Sequence, residues 1–229
     1  MEIATILMIS GILILLYVVY YYYFASTGML MSGVTAGNVS TVIDVSKIDS
    51  GTTGSLNFSY SVWFNINDWT TGYGSPKILF QRLSSGTNLF TPKVYFDSVT
   101  NDLVVTVANQ SGTDTCKVKN VPIQKWVNLI ISVYGRSLDA YINGKLVNTC
   151  VLTGVPIVDK TQGIQITPSG GFNGWVTQFQ FWASPMDPQT AWNIYKAGNG
   201  SSIFSGLFGS YGIKLSLLNN NIEQNAISI

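Results

Sequence analysis

Histidine is absent from this 229-residue chain. Without imidazole there is no Ser-His or Cys-His nucleophile, no histidine general base near neutral pH and no imidazole metal ligand. Glutamate occurs only at Glu2 and Glu223, near the two ends, so acid chemistry in the central region falls to nine aspartates. Charged residues are scarce too, at 10% of the chain, with a net charge of +1 and no Lys/Arg block. Nucleic-acid binding needs a clustered basic footprint, so nucleic acid is not an expected partner. Only two cysteines occur, Cys116 and Cys150. A disulfide between them would add roughly 3–4 kcal/mol by restricting the unfolded chain. Two reduced thiols on neighbouring strands fit the sequence equally well, and two cysteines do not define a redox compartment.

What the chain has instead is apolar and aromatic residues, 46% and 13% respectively, with Asn, Ser, Thr and Gly between the apolar runs. Residues 3–24, "IATILMISGILILLYVVYYYYF", carry no charge over 22 positions. As a helix the run would span about 33 Å, slightly more than a bilayer's hydrocarbon core. Its Ile, Leu, Val and Phe residues contribute roughly −4 to −7 kcal/mol towards insertion. Residues 1–24 are therefore expected to form a single transmembrane anchor, with Ile3, Leu7, Ile12 and Leu16 in lipid. Tyr20 and Tyr23 then fall in the interfacial belt, where an aromatic ring sits in the headgroups and its hydroxyl in water. A cleaved signal peptide would need a basic start, a shorter apolar core and a clean small-x-small site, none of which "ME…YFASTG" offers. The first basic residue is Lys47, so the positive-inside rule leaves the sidedness of the anchor open.

Residues 25–37, "ASTGMLMSGVTAG", read as a small-residue linker. From residue 38 to 198 short alternating runs follow one another between turn residues. "YSVWFNI" sets Val62, Phe64 and Ile66 on one face and Ser61, Trp63 and Asn65 on the other, and "WVNLIISVY" aligns Val127, Leu129, Ile131 and Val133. Some ten such runs with short turns predict an all-β, two-sheet sandwich. One helix is expected, at "DPQTAWNIYKAG": Asp187 caps it, Pro188 opens it and Gly198 takes the αL position past its end. Its apolar face, Ala191, Ile194 and Tyr195, should pack on the sandwich rim. The tail, residues 199–229, reads as a Gly/Ser-rich stretch and a hairpin around an Asn turn. That hairpin either completes a sheet of its own domain or adds a strand to a neighbour.

In "DAYINGKLV", Asn143-Gly144 separates two alternating strands and signals a tight hairpin, because both residues tolerate positive φ. Turn geometry accounts for Asn143 without any ligand. The order of "WVNLIISVYGRSLDAYINGKLVNT" and "GGFNGWVTQFQFWASPMDPQTAWNIYKAG" also resembles the concanavalin A-like lectin/glucanase superfamily in its laminin-G/pentraxin-like form. The positions that carry the resemblance are Trp126, Tyr141, Asn143, Gly144, Phe172, Gly174 and Gly198. It covers roughly residues 38–198 and implies a jelly-roll sandwich. The wording of "GRSLDAYINGKLVNTCVL", "ITPSGGFNGW" and "PQTAWNIYKAG" is similar to membrane-anchored lectin-like proteins of large nucleocytoplasmic DNA viruses, such as those infecting algae. That similarity implies a minor capsid or virion membrane protein at the inner membrane/capsid interface, in host membranes during assembly, with lipid and capsid proteins as partners.

A glycosidase of this superfamily uses two carboxylates at alternate positions of one strand, so that both reach one sugar. Here no two acids stand two or four apart. The closest pairs, Asp44/Asp49 and Asp97/Asp102, have an odd spacing that would place them on opposite faces of one strand, so no enzymatic activity is expected. Calcium would need clustered oxygens. Asp97–Asp102 and Asp139 could supply some, but turn chemistry explains them more simply, and no cofactor is expected. Glycan stacking would fall to Trp69, Tyr73 or Trp182, against the commoner role of such residues in a core. Four Asn-x-Ser sequons, at Asn38, Asn57, Asn109 and Asn199, matter only in a secretory lumen. The sparse charge suits permanent protein contacts, where desolvating charges is costly. The expected function is thus a non-catalytic, membrane-anchored structural protein, with a surface glycan-binding lectin as the alternative.

Overall fold

The computed structural model describes residues 10–18, 28–48, 56–84 and 89–200, together with the backbone of 214–219 and 222–228. Thirteen strands form two facing sheets. They are β1 (Met29–Met31), β2 (Thr35–Ala36), β3 (Thr41–Ile43), β4 (Phe58–Asp68), β5 (Lys77–Leu83), β6 (Phe90–Phe96), β7 (Leu103–Asn109), β8 (Gly112–Val118), β9 (Val127–Tyr134), β10 (Ser137–Ile142), β11 (Lys145–Val151), β12 (Ile164–Ile166) and β13 (Asn173–Trp182). The first sheet runs β1-β13-β4-β9-β10-β11, with β2 also paired to β13. The second runs β3-β12-β5-β6-β7-β8.

The two-residue alternation sets which side chains fill the space between the sheets. Phe58, Tyr60, Val62, Phe64 and Ile66 of β4 meet Val127, Leu129, Ile131 and Val133 of β9 in one core cluster. Leu103, Val105 and Val107 of β7 reach the same cluster from the opposite sheet. The residues read as a linker contribute β1 and β2, both antiparallel to β13. The inward residues of β4 and β9 are 2% exposed or less, and Arg82 is buried beside Phe181, where its Nε donates to the Gln162 carbonyl.

Asn143 and Gly144 take φ values of 51° and 72°, the turn their sequence signals. The Asn143 side chain accepts from the Asn128 amide at 3.0 Å while its own amide donates back at 2.9 Å, tying the turn to β9. Gly144 has a second role: a Cβ there would press on Trp192 and Tyr195 at about 3 Å. Those residues belong to the helix Pro188–Ala197, capped by Asp187, whose carboxylate accepts from the Gln189 and Thr190 amides. The helix packs on the outer face of the first sheet, with Ala191 against Ile130, Tyr141 and Met186, rather than on the rim. Gly198 ends it at φ 80°, ψ −179°, a region open almost only to glycine and distinct from the αL cap expected.

Residues 10–18 are also helical, giving two short helices where the sequence suggested one beside the anchor. Ile12 and Leu16 are exposed there. Ile3, Leu7, Tyr20 and Tyr23 lie outside the described residues, and among those described no helix is long and apolar enough to cross a membrane. Near the other end, β14 (Lys214–Asn219) and β15 (Ile222–Ser228) form a separate two-stranded sheet.

Cys116 and Cys150 are joined in a disulfide. They are on facing sheets: Cys116 on the edge strand β8 and Cys150 on the edge strand β11, with Cα atoms 5.8 Å apart. The bond therefore laces the open side of the sandwich.

Candidate functional site

The clearest concentration of binding groups lies at one end of the sandwich, where the β6–β7 turn meets the β8–β9 connection. Asp97 and Asp102 flank that turn, and the Asp97 amide donates to the Asp102 carbonyl at 2.9 Å. The chain reverses between them, so the parity argument that set them on opposite faces of one strand does not apply. Lys117 arrives from β8 and places its ammonium 3.1 Å from Asp102 and 3.5 Å from Asp97. Thus the oxygens considered for calcium already face a cation of the chain. The Val99 and Thr100 amides hold the Asp97 carboxyl below the usual range, and the Asn120 amide does the same for Asp102. The hydrogen bond to Asp102 in turn raises Lys117.

Beside this triad is a cavity of about 500 Å³ lined by Trp69, Val99, Asn101, Asp102, Lys119, Asn120 and Ile123. Its walls are stitched together. Asn101 donates to the Val121 carbonyl at 3.0 Å, and the Val121 amide donates to the Asn101 carbonyl at 3.0 Å. Asn120 adopts φ 55°, a conformation asparagine tolerates better than most residues, and its amide donates to Asp102 at 3.0 Å. Trp69 is held from three sides: Nε1 donates to the Val99 carbonyl, the ring meets Phe96 edge-on, and the Lys77 ammonium lies 4.5 Å from its centroid. Burial lowers the Lys77 pKa. Lys119 forms no ion pair among the described residues.

This arrangement offers a fixed indole, amide donors and acceptors and one free ammonium, all at the surface. Polar ligands with an apolar face suit such a mixture. Of the three aromatic residues singled out from the sequence, Trp69 lines the cavity and Tyr73 is exposed on the preceding turn. Trp182 is packed into the cluster beneath the helix. Asn101 belongs to the turn considered from the sequence for calcium, but Lys119, Asn120 and Ile123 were not legible as site residues, because nothing in the sequence signals that two connections some twenty residues apart share a rim.

The other described aspartates have local tasks. Asp68 accepts from Thr70 and Thr71, and these bonds lower its pKa to about 2. Asp44 caps the turn Val45–Lys47, Asp139 accepts from Thr149 at 2.7 Å, and Asp159 accepts from Thr161. Asp114 is raised by burial, but bonds from Thr153, Asn109 and Gly154 outweigh this and leave it lowered. Among the sequons, Asn38 is exposed. Asn109 is buried, with Nδ2 donating to Asp114 and Thr153, and Asn57 accepts from the Gly135 amide.

Two β-sheets face to face, with a helix on one outer face and a polar cavity at one rim, define a jelly-roll sandwich. The chain belongs to the concanavalin A-like lectin/glucanases superfamily, whose family model matches residues 37–223. Among solved structures it is similar to the receptor binding domain of botulinum neurotoxin D, at 13% identity and a TM-score of 0.56, over 72% of this chain and 42% of that one. It is similar also to the botulinum neurotoxin serotype D ligand binding domain in complex with N-acetylneuraminic acid, at 12% identity and a TM-score of 0.56, over 76% and 51%. The chain thus spans about half or less of the length of these structures, and at such identity the likeness is one of fold. No curated protein matches it.

Proposed function

We propose that the chain is a non-catalytic recognition protein of lectin type that binds glycan at the rim cavity beside Trp69. One observation carries this reading: the cavity joins an immobilised indole to Asn101, Asn120 and the free Lys119 ammonium, while the nearby carboxylates are spoken for by Lys117 and backbone amides. An indole edge supplies apolar contact for a sugar ring, and amides supply the hydroxyl partners. That one of the similar structures is described as a complex with N-acetylneuraminic acid agrees with a glycan partner. Binding of the full chain in detergent to a panel of immobilised neutral and acidic glycans tests this. Retention of at least one class, weakened about tenfold or more by Lys119→Ala, is the expected result; a blank panel would refute it.

A second reading concerns where the domain acts. The uncharged run 3–24 and the similarity of residues 135–152, 166–175 and 188–198 to viral lectin-like proteins favour a minor capsid protein. The run would sit in an internal membrane while the sandwich contacts the shell. Detergent that strips lipid from purified particles should then co-release this chain, and its absence from particles would remove the reading.

A further inference from the structure

The two sheets have four edges, and three are protected. β1 and β3 are only three residues long. β8 turns Thr113, Thr115 and Lys117 outward, and polar or lysine side chains discourage pairing with other chains. β11 is as long as β8 and also exposes a lysine and a threonine, Lys145 and Thr149, but it differs in leaving Leu146 50%, Val147 48% and Val151 79% exposed. Beside it, a groove of about 510 Å³ runs between β11 and β8, with Val118, Val121, Pro122, Ile142 and Val147 in its wall beside the polar Lys117, Lys119, Asn120 and Asn148. Natural sheets seldom leave such an edge uncovered.

The chain also contains an element with the opposite deficiency. Among the described residues β14 and β15, six and seven residues long, pair only with each other, in a register that sets Leu215 opposite Ile227 and Leu217 opposite Asn225. A lone two-stranded hairpin is marginally stable in water and needs a further strand or a packing surface. The hairpin matches β11 in length, and among the described residues of one chain the two form no ladder. We propose that the β14–β15 hairpin of one copy adds to the β11 edge of a second copy, extending its seven-stranded sheet to nine. Main-chain hydrogen bonds would supply the pairing and the exposed aliphatic side chains of β11 the buried surface. The protein would therefore self-associate through its tail, by reciprocal exchange or head to tail.

The test uses the full chain in detergent and two variants. One carries Leu146→Asp and Val151→Asp, at exposed positions that spare the core; the other ends after residue 213. Wild type should self-associate in sedimentation as concentration rises, and each variant alone should be monomeric. Amides of β11 should exchange about tenfold or more slowly in associated wild type than in either variant. Mixed, the two variants should form a one-to-one pair, because one retains the hairpin and the other the edge. Monomeric wild type, association surviving either change, or failure of the variants to complement each other would each overturn the proposal. Should the shortened chain not fold, association of the aspartate variant with itself and its β11 exchange decide the matter.

Discussion

Removing the disulfide by Cys150→Ala opens the side of the sandwich with little change in packing. Cys116 is buried on β8 and Cys150 half-buried on β11, so the substitution leaves the core in place. The crosslink spans a sequence separation of 34 residues. Restricting the unfolded chain over a loop of that length is worth about 4 kcal/mol. For a domain of this size, that corresponds to a fall in melting temperature of about 8–16 °C. Urea unfolding of the full chain in mild detergent, followed by Trp fluorescence, measures it directly. Wild type treated with a reductant should match the variant, since both lose the same constraint. A difference below about 1 kcal/mol, or an unaltered wild type under reduction, would refute the idea that this bond closes the sandwich's open edge.

Other expectations follow from single contacts. Gly174→Ala would drive a Cβ into the Asn65 carbonyl oxygen on β4, costing about 3 kcal/mol and visible as lost soluble yield or a lowered urea midpoint. Asp68, with its pKa lowered to about 2 by Thr71 and Thr70, stabilises the fold above about pH 4. That contribution should fade as pH falls through the folded value, with a carboxyl NMR midpoint near 2. Expressed in a secretory lumen, Asn109 should stay unmodified while exposed Asn38 accepts glycan, as peptide mass spectrometry would report.

The interior was legible because its rule is local. Alternation in "YSVWFNI" and "WVNLIISVY" determines which side chains meet, and Asn143-Gly144 determines the turn between β10 and β11. The helix from Pro188 was equally plain from its cap. The site was less legible because its rule is not local. Asp97 and Asp102 come together only because the chain turns between them, and Lys117 reaches them from the neighbouring strand. Likewise Met29–Met31 looked like linker until β13 provided a ladder, and Cys116 meets Cys150 only once the two sheets face each other.

The most direct test of recognition at the rim is an amide and indole NMR map of the full chain in detergent, titrated with a glycan retained on the panel. The account predicts shifts at the Trp69 indole N–H and at the amides of Asn101 and Asn120, with no sugar released over time. Shifts confined to the outer face of the second sheet, at Lys93 and Tyr95, or liberation of reducing ends, would contradict it.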